Sequence, residues 1–170
     1  GFCKILLLDQ RPEFSVRLHF WPPNLIQDTH IHNHPWDMTG AVISGSYEWH
    51  LIDVNKSIHN SKYIAYECNY VNNYSGHFFN KKHCAEIYKK EILGINTGSI
   101  FNFNHEKYHN IVKKNNERTD SIVITGIVNS LSADVVTTEL IEENVISFNK
   151  PINLEELKKQ LIFFLNRSEF

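Results

Sequence analysis

Five consecutive residues carry three histidines at alternating positions. The run is His30-Ile31-His32-Asn33-His34. In an extended strand alternate side chains project from one face, so these three imidazoles would lie together. Imidazole is the commonest protein ligand of first-row divalent metals, and two imidazoles at this spacing can reach one ion. The run therefore predicts a metal site whose remaining ligand comes from elsewhere in the chain, and His109 is the candidate.

The elements that must position these histidines have the two-residue period of β-strands. The clearest is 14–21, where Phe14, Val16, Leu18 and Phe20 alternate with Ser15, Arg17, His19 and Trp21. We expect the first set to pack against the core and the second to meet solvent or a cavity. Further strands are predicted at 41–54, 63–71, 85–93, 100–103, 121–128 and 134–140, and 2–8 also has strand character. Gly45 lies inside one of them, which is typical of a bend or a close backbone approach.

The C-terminal segment has a helical pattern instead. Asn153 and Glu156 have the spacing of a capping box, and apolar residues then recur at helical intervals. We predict an amphipathic helix over 153–166 that packs on an all-β sandwich or barrel. The predicted organisation is a barrel over 1–150 followed by this helix within 151–170.

The histidine segments resemble the two sequence motifs of the cupin superfamily. His32-x-His34 is followed eleven residues later by Gly45, as in the first motif, and Gly98 and His109 keep the outer spacing of the second. The resemblance covers roughly residues 14 to 128. It implies a single double-stranded β-helix, that is, a jelly-roll barrel.

The chain departs from these motifs at several positions. Ile26 stands where the first motif begins with glycine, and Asn104 and Glu106 stand where the second has proline and glycine. Met38 occupies the place of the ligand glutamate and cannot serve as a hard ligand.

The resemblance therefore implies a metal site of His32, His34 and His109, in which His30 would support the site or face the substrate. A second set also fits, because His30-x-His32 followed by Asp37 has the spacing of two histidines and a carboxylate. That set comprises His30, His32, Asp37 and His109, and it misplaces the motif glycine by one residue.

Within the superfamily the chain looks most like thiol dioxygenases of the cysteine dioxygenase type, which hold ferrous iron with three histidines. The strand at 14–21 adds to this resemblance. Those enzymes carry a Ser-x-His-x-Tyr run on a late strand, whereas 121–127 here has neither histidine nor tyrosine.

We therefore expect a mononuclear non-haem Fe(II) oxygenase or dioxygenase that uses O2 to oxidise a small, anionic molecule. Three neutral imidazoles leave the charge of Fe(II) uncompensated, which favours an anionic substrate donor. Two alternatives stay open. The same site with Zn, Ni or Mn could run an isomerase or lyase reaction, or the protein could bind a metal or ligand without catalysis.

Arg17 is the candidate for holding the acidic group of such a substrate. It shares a strand face with Ser15 and His19, and guanidinium binds carboxylate in a bidentate geometry. The alternative is an internal ion pair with Glu48 or Glu67.

The charge and cysteine content of the chain bear on its expected partners and location. The net charge is −2, from 17 Lys+Arg against 19 Asp+Glu, which gives no electrostatic reason to expect a nucleic acid or an anionic membrane. Three cysteines without a Cys-x-x-Cys pair and the lack of a signal-like apolar run favour a reducing, cytoplasmic setting. A homodimer through the strand-like segment 2–8 is a further expectation.

Overall fold

A computed structural model describes residues 2–23, 30–59, 61–72, 74–113 and 116–167. Ile26, the first departure from the motif pattern, lies outside these residues. The described part contains twelve strands and one helix. They are β1 Cys3–Gln10, β2 Phe14–Trp21, β3 Ile31–His32, β4 Trp36–Ser44, β5 Ser46–Lys56, β6 Tyr63–Val71, β7 Gly76–Asn96, β8 Ile100–Phe103, β9 Tyr108–Val112, β10 Thr119–Val128, β11 Ser132–Thr137, β12 Ser147–Phe148 and α1 Leu154–Arg167.

Two antiparallel sheets build the barrel. The first has the strand order β1-β2-β10-β4-β8, and the second has the order β12-β7-β5-β9-β3-β11-β6. The long strand β7 pairs with β6 along its first half and with β5 along its second half, so it ties two parts of the second sheet together. These crossovers between strands distant in sequence are those of a jelly roll, and they confirm the predicted all-β fold class with its C-terminal helix.

The main core lies between the two sheets. Strands of both sheets contribute to one cluster of buried side chains, which are Trp21, Val42, Tyr47, Trp49, Ile95, Phe101, Phe103 and Val123. Trp21 is part of it, so the β2 face that carries Ser15, Arg17 and His19 points inward. The polar face of this strand therefore lines the barrel interior.

The apolar face of β2 is covered from the other side. Phe20 is 1% exposed and contacts Phe164 of α1 at 5.8 Å between ring centroids. Phe20 and Leu18 are thus buried as predicted, although the apolar cover of Phe20 comes from α1 outside the sheet, and Phe14 at the start of the strand is 37% exposed. Arg118 holds the helix in place through Gln160 and stacks on Phe20 at 4.6 Å.

The helix begins as the sequence predicts. The Asn153 side chain accepts a hydrogen bond from the backbone N–H of Glu156 at 2.8 Å. No helix among the described residues has the length and apolarity to cross a membrane.

Asn153→Ala is expected to lower the free energy of unfolding by about 1 kcal/mol, because it leaves a helix N–H without its cap. Equilibrium denaturation would measure the loss. Asn149→Ala is the control, since Asn149 lies outside the helix and its side chain binds only the Tyr74 carbonyl at 3.1 Å. An equal loss in both variants would contradict the capping role.

Candidate metal centre

Three histidine side chains converge inside the barrel. His32, His34 and His109 each offer a ring nitrogen, and these atoms all lie within 4.8 Å of one another. The ring centroids are 4.6 to 5.1 Å apart. Among the described residues no other group of three histidines, cysteines or carboxylates meets in this way. We call these three residues the histidine triad.

Backbone pairing places the triad. β3 lies beside β9, and His32 stands directly opposite His109 in that ladder. The Asn33 side chain turns to the other face, where its Oδ1 accepts a hydrogen bond from the Asp134 N–H at 2.6 Å. The His34 N–H donates to the carbonyl of His105 at 3.3 Å, which fixes the second member of the pair. His34 lies beyond the end of β3, so this hydrogen bond rather than a strand ladder holds it on the same side as His32.

Ring nitrogens of the triad are left free to bind a ligand. The Nδ1 of His32 donates to the His30 carbonyl at 2.7 Å, so in the neutral ring Nε2 keeps its lone pair. Nε2 of His34 and Nδ1 of His109 are buried without a hydrogen-bond partner among the described residues. Unpartnered buried nitrogens are costly, and a metal ion would satisfy them.

The surroundings keep the triad neutral. Burial lowers the pKa of His34 and His109 well below the ordinary value, and the neighbouring triad histidines lower both further. Burial also lowers the pKa of His32, against the opposing effect of the His30 carbonyl. Neutral imidazole is the form that binds metals, so the rings need not lose a proton first.

Aromatic rings wall the triad. Phe103 lies 4.2 Å and Trp49 lies 5.4 Å from His109 between ring centroids, and Trp36 stacks beside His34 at 6.3 Å. Trp36 and Trp49 are 5% and 4% exposed. The triad therefore sits against an apolar surface that limits access of water from the core side.

The structure places the remaining predicted ligands away from the triad. His30 precedes β3 and is exposed, and only its carbonyl reaches His32. Asp37 is exposed, and its Oδ1 accepts hydrogen bonds from the backbone N–H and the ring Nδ1 of His105, both at 2.7 Å. The two bonds fix the turn that leads into β9. The set with Asp37 is thus not assembled in this structure.

Where the chain departs from the two motifs, other local contacts take the place of the usual residues. Met38 packs against the core cluster rather than offering a ligand. In place of a proline-glycine turn, the Asn104 side chain accepts from the Glu106 N–H at 2.8 Å, and its carbonyl accepts from the Lys107 N–H at 3.1 Å. This turn delivers His109 without the usual residues.

The indole of Trp36 separates the Arg17 side chain from the triad. Its guanidinium stacks on Trp36 at 4.5 Å from the ring centroid, and Trp36 in turn stacks beside His34. Arg17 is 8% exposed, and burial lowers its pKa to about 10. No carboxylate of the described residues pairs with it: Glu48 binds His50, and Glu67 binds Asn69 and Ser132. Among the described residues Arg17 therefore does not form the ion pair with Glu48 or Glu67 that was the alternative prediction.

Two hydroxyl groups hold this arginine, and sequence reasoning did not single them out. The Ser15 Oγ accepts a hydrogen bond from Arg17 Nε at 2.9 Å and contacts the Thr125 Oγ1 at 2.7 Å. Thr125 is on β10, where the resembling enzymes carry histidine and tyrosine. The sequence feature that points to Ser15 is that it shares a strand face with Arg17.

The fold and the triad together define the class: a double-stranded β-helix with a three-histidine cluster in its interior. No family model and no curated protein matches the sequence. Solved structures with a similar fold include a conserved protein with a double-stranded β-helix domain from Klebsiella pneumoniae (13% identity, TM-score 0.47, covering 81% of this chain and 85% of that one).

Two more are the Cnp3 cupin domain from Schizosaccharomyces pombe and the DMSP lyase DddQ from Ruegeria pomeroyi. The first has 9% identity and a TM-score of 0.43, covering 74% of this chain and 61% of that one. The second has 11% identity and a TM-score of 0.44, covering 74% of this chain and 46% of that one, so this chain spans less than half of its length. At these TM-scores the similarities add nothing to what the strand order itself establishes.

Proposed function

We propose that this protein is a mononuclear non-haem Fe(II) oxygenase or dioxygenase that acts on a small anionic molecule. The observation that carries the proposal is the convergence of three neutral imidazoles, one buried and two half-buried, whose ring nitrogens lie within 4.8 Å of one another. Their unpartnered nitrogens fit a first-row divalent ion, and His32, His34 and His109 are the residues that would hold it.

Ferrous iron, when bound, would supply the redox centre for O2 and a binding position for an anionic donor of the substrate. The chain itself would hold the three ligands neutral and exclude water with Trp36, Trp49 and Phe103. Arg17 would orient the substrate through its acidic group, since it is buried beside the triad and has no carboxylate partner among the described residues. Ser15 and Thr125 would position Arg17.

Anaerobic loading with Fe(II), elemental analysis and a screen for substrate-dependent O2 uptake test the proposal. We expect about one iron per chain and O2 uptake that depends on a small anionic compound. Tight zinc, nickel or manganese binding with turnover in the absence of O2 would favour an isomerase or lyase instead. Metal binding without any turnover across such a screen would favour a binding protein.

Arg17→Lys is expected to raise KM at least tenfold while metal content and Tm stay near wild type. Lysine keeps the charge but cannot form two parallel hydrogen bonds to a carboxylate or stack in the same way. Steady-state kinetics with the identified substrate measure the change. Arg11→Lys is the matched control, because Arg11 already pairs with Asp9. A variant that loses stability and keeps its KM would show that Arg17 is structural.

Dimerisation through 2–8 stays a prediction. β1 is an edge strand that pairs with β2, and Leu6, Leu7 and Leu8 are each about half exposed. Such an edge can pair with a second chain.

A further inference from the structure

A second cation, Lys4, stands opposite the inner face of β2. In the β1–β2 ladder Lys4 pairs with His19, and Leu6 pairs with Arg17. Directly opposite residues of an antiparallel pair project from the same face of the sheet. Lys4 therefore belongs to the face that also carries His19 and Arg17, at the side of the barrel where β1 forms the edge.

The charges of Lys4 and Arg17 act on the same histidines. After burial, the positive charge of Lys4 is a cause of the lowered pKa of His19, and it also lowers those of His32 and His34. Arg17 lowers the pKa of His19 and His34 in the same way. These directions agree with the β1–β2 ladder, which puts Lys4 and Arg17 on the same face of the first sheet.

No carboxylate of the described residues forms an ion pair with Lys4 or Arg17. The charge of Asp9 acts on Arg17, but its carboxylate pairs with Arg11. The ammonium of Lys4 lies over the Phe2 ring, at 5.5 Å from its centroid. Beside it, Nε2 of His19 is buried without a hydrogen-bond partner in the described part of the chain. Uncompensated charge next to a metal site favours binding of anions.

We propose that the pocket binds a dianion of the dicarboxylate type, with one carboxylate at Arg17 and the other at Lys4 beside His19. The inference rests on the proposed function for the place of the pocket next to a metal, and it deepens that function by naming the substrate class. Arg17 and His19 are two residues apart, which is about 7 Å along a strand. Dicarboxylates of five or six carbons span about that separation.

Isothermal titration calorimetry of the purified chain tests the proposal with glutarate and adipate against their monocarboxylates, valerate and hexanoate. Each titration is run metal-free and with zinc. We expect at least one dicarboxylate to bind about tenfold more tightly than the monocarboxylate of the same length, the effect of one added charged hydrogen bond. Equal affinity within both pairs, or no binding of any probe, would overturn the proposal.

Lys4→Met is expected to abolish this preference, whereas Lys4→Arg keeps it. Lys62→Met is the matched control, because Lys62 is also exposed and also sits over a neighbouring ring, that of Tyr63 at 4.9 Å. A preference that survives Lys4→Met, or that Lys62→Met removes as well, would overturn the assignment.

The two proposals fail in different ways. Preference for dicarboxylates in the metal-free protein without any O2 uptake would leave the dianion pocket standing and remove the oxygenase. Substrate-dependent O2 uptake with monoanions alone would leave the oxygenase standing and remove the dianion pocket.

Discussion

His109→Ala is expected to weaken binding of a divalent metal by more than about 100-fold and to leave the barrel folded. Removing one of three ligands should cost more than the roughly 10- to 100-fold loss typical of residues that only support a ligand. His109 is 1% exposed, and it is the triad member that β9 supplies opposite His32. Metal titration followed by elemental analysis gives the affinity, and a thermal melt shows whether the fold persists.

His30→Ala is the matched control, since it removes an imidazole two residues from the triad. We expect it to keep the metal, because His30 contributes its carbonyl to His32 and its side chain is exposed. If His30 faces the substrate, as the sequence suggested, the variant would turn over more slowly. Full metal occupancy in His109→Ala would contradict both ligand sets, because both contain His109. Loss of metal in both His30→Ala and Asp37→Asn would favour the set with the carboxylate.

Gly45→Ala is expected to lower the free energy of unfolding by about 3 kcal/mol. Gly45 separates β4 from β5 with a φ of +77°, a conformation that costs an L-residue roughly 1–2 kcal/mol. A Cβ there would lie 2.4 Å from the Arg118 carbonyl oxygen and 2.5 Å from the Thr119 Oγ1, so β10 would have to shift. Overpacking of this kind adds about 1–3 kcal/mol. Equilibrium urea denaturation measures the sum.

Gly98→Ala separates the two contributions. Gly98 has a similar φ of +83°, but a Cβ there would meet nothing within 4 Å. We expect a loss of only about 1 kcal/mol, from the backbone conformation alone. Equal losses in the two variants would show that the contact with β10 does not matter.

Strands with clean alternation could be predicted from the sequence. The ranges 14–21, 63–71 and 100–103 match β2, β6 and β8. Burial alternates with the sequence pattern in β8, whereas both faces of β2 are largely covered. The helix could also be predicted from the sequence, because its N-cap and the spacing of its apolar residues are local features of the sequence. Gly45 was singled out, and its close backbone approach is what the structure shows.

Other features depend on tertiary contacts that no local pattern carries. The predicted strand 41–54 is broken at Gly45, and β7 runs over 21 residues where only 85–93 was predicted, because its first half pairs with β6. β9, which presents His109, is short and mixed in polarity, so only the motif spacing pointed to it. For the polar face of β2 the sequence left solvent and a cavity open. Only the tertiary structure, with α1 packed on the opposite face, decides for the cavity.

At the metal centre, the pairing of His32 with His34 followed from alternation, whereas the choice against His30 did not. β3 comprises only Ile31 and His32, so neither His30 nor His34 lies in the strand, and the hydrogen bond of the His34 N–H to the His105 carbonyl is a contact that the sequence pattern does not reveal. Asp37 was excluded by its bonds to His105, a partner 68 positions away. Long-range contacts of this sort decide which of several equally spaced ligands meet.

Trp36 forms a wall common to both halves of the pocket. Its indole stacks beside the His34 imidazole at 6.3 Å between ring centroids, and the Arg17 guanidinium lies 4.5 Å from the centroid of the indole. Tyr74 meets the same indole edge-on at 5.3 Å. Under the proposed function, replacing this residue would disturb metal and anion recognition at once, so the two could not change independently in evolution. A descendant with a new substrate would have to change the side chains around this indole while keeping the indole itself.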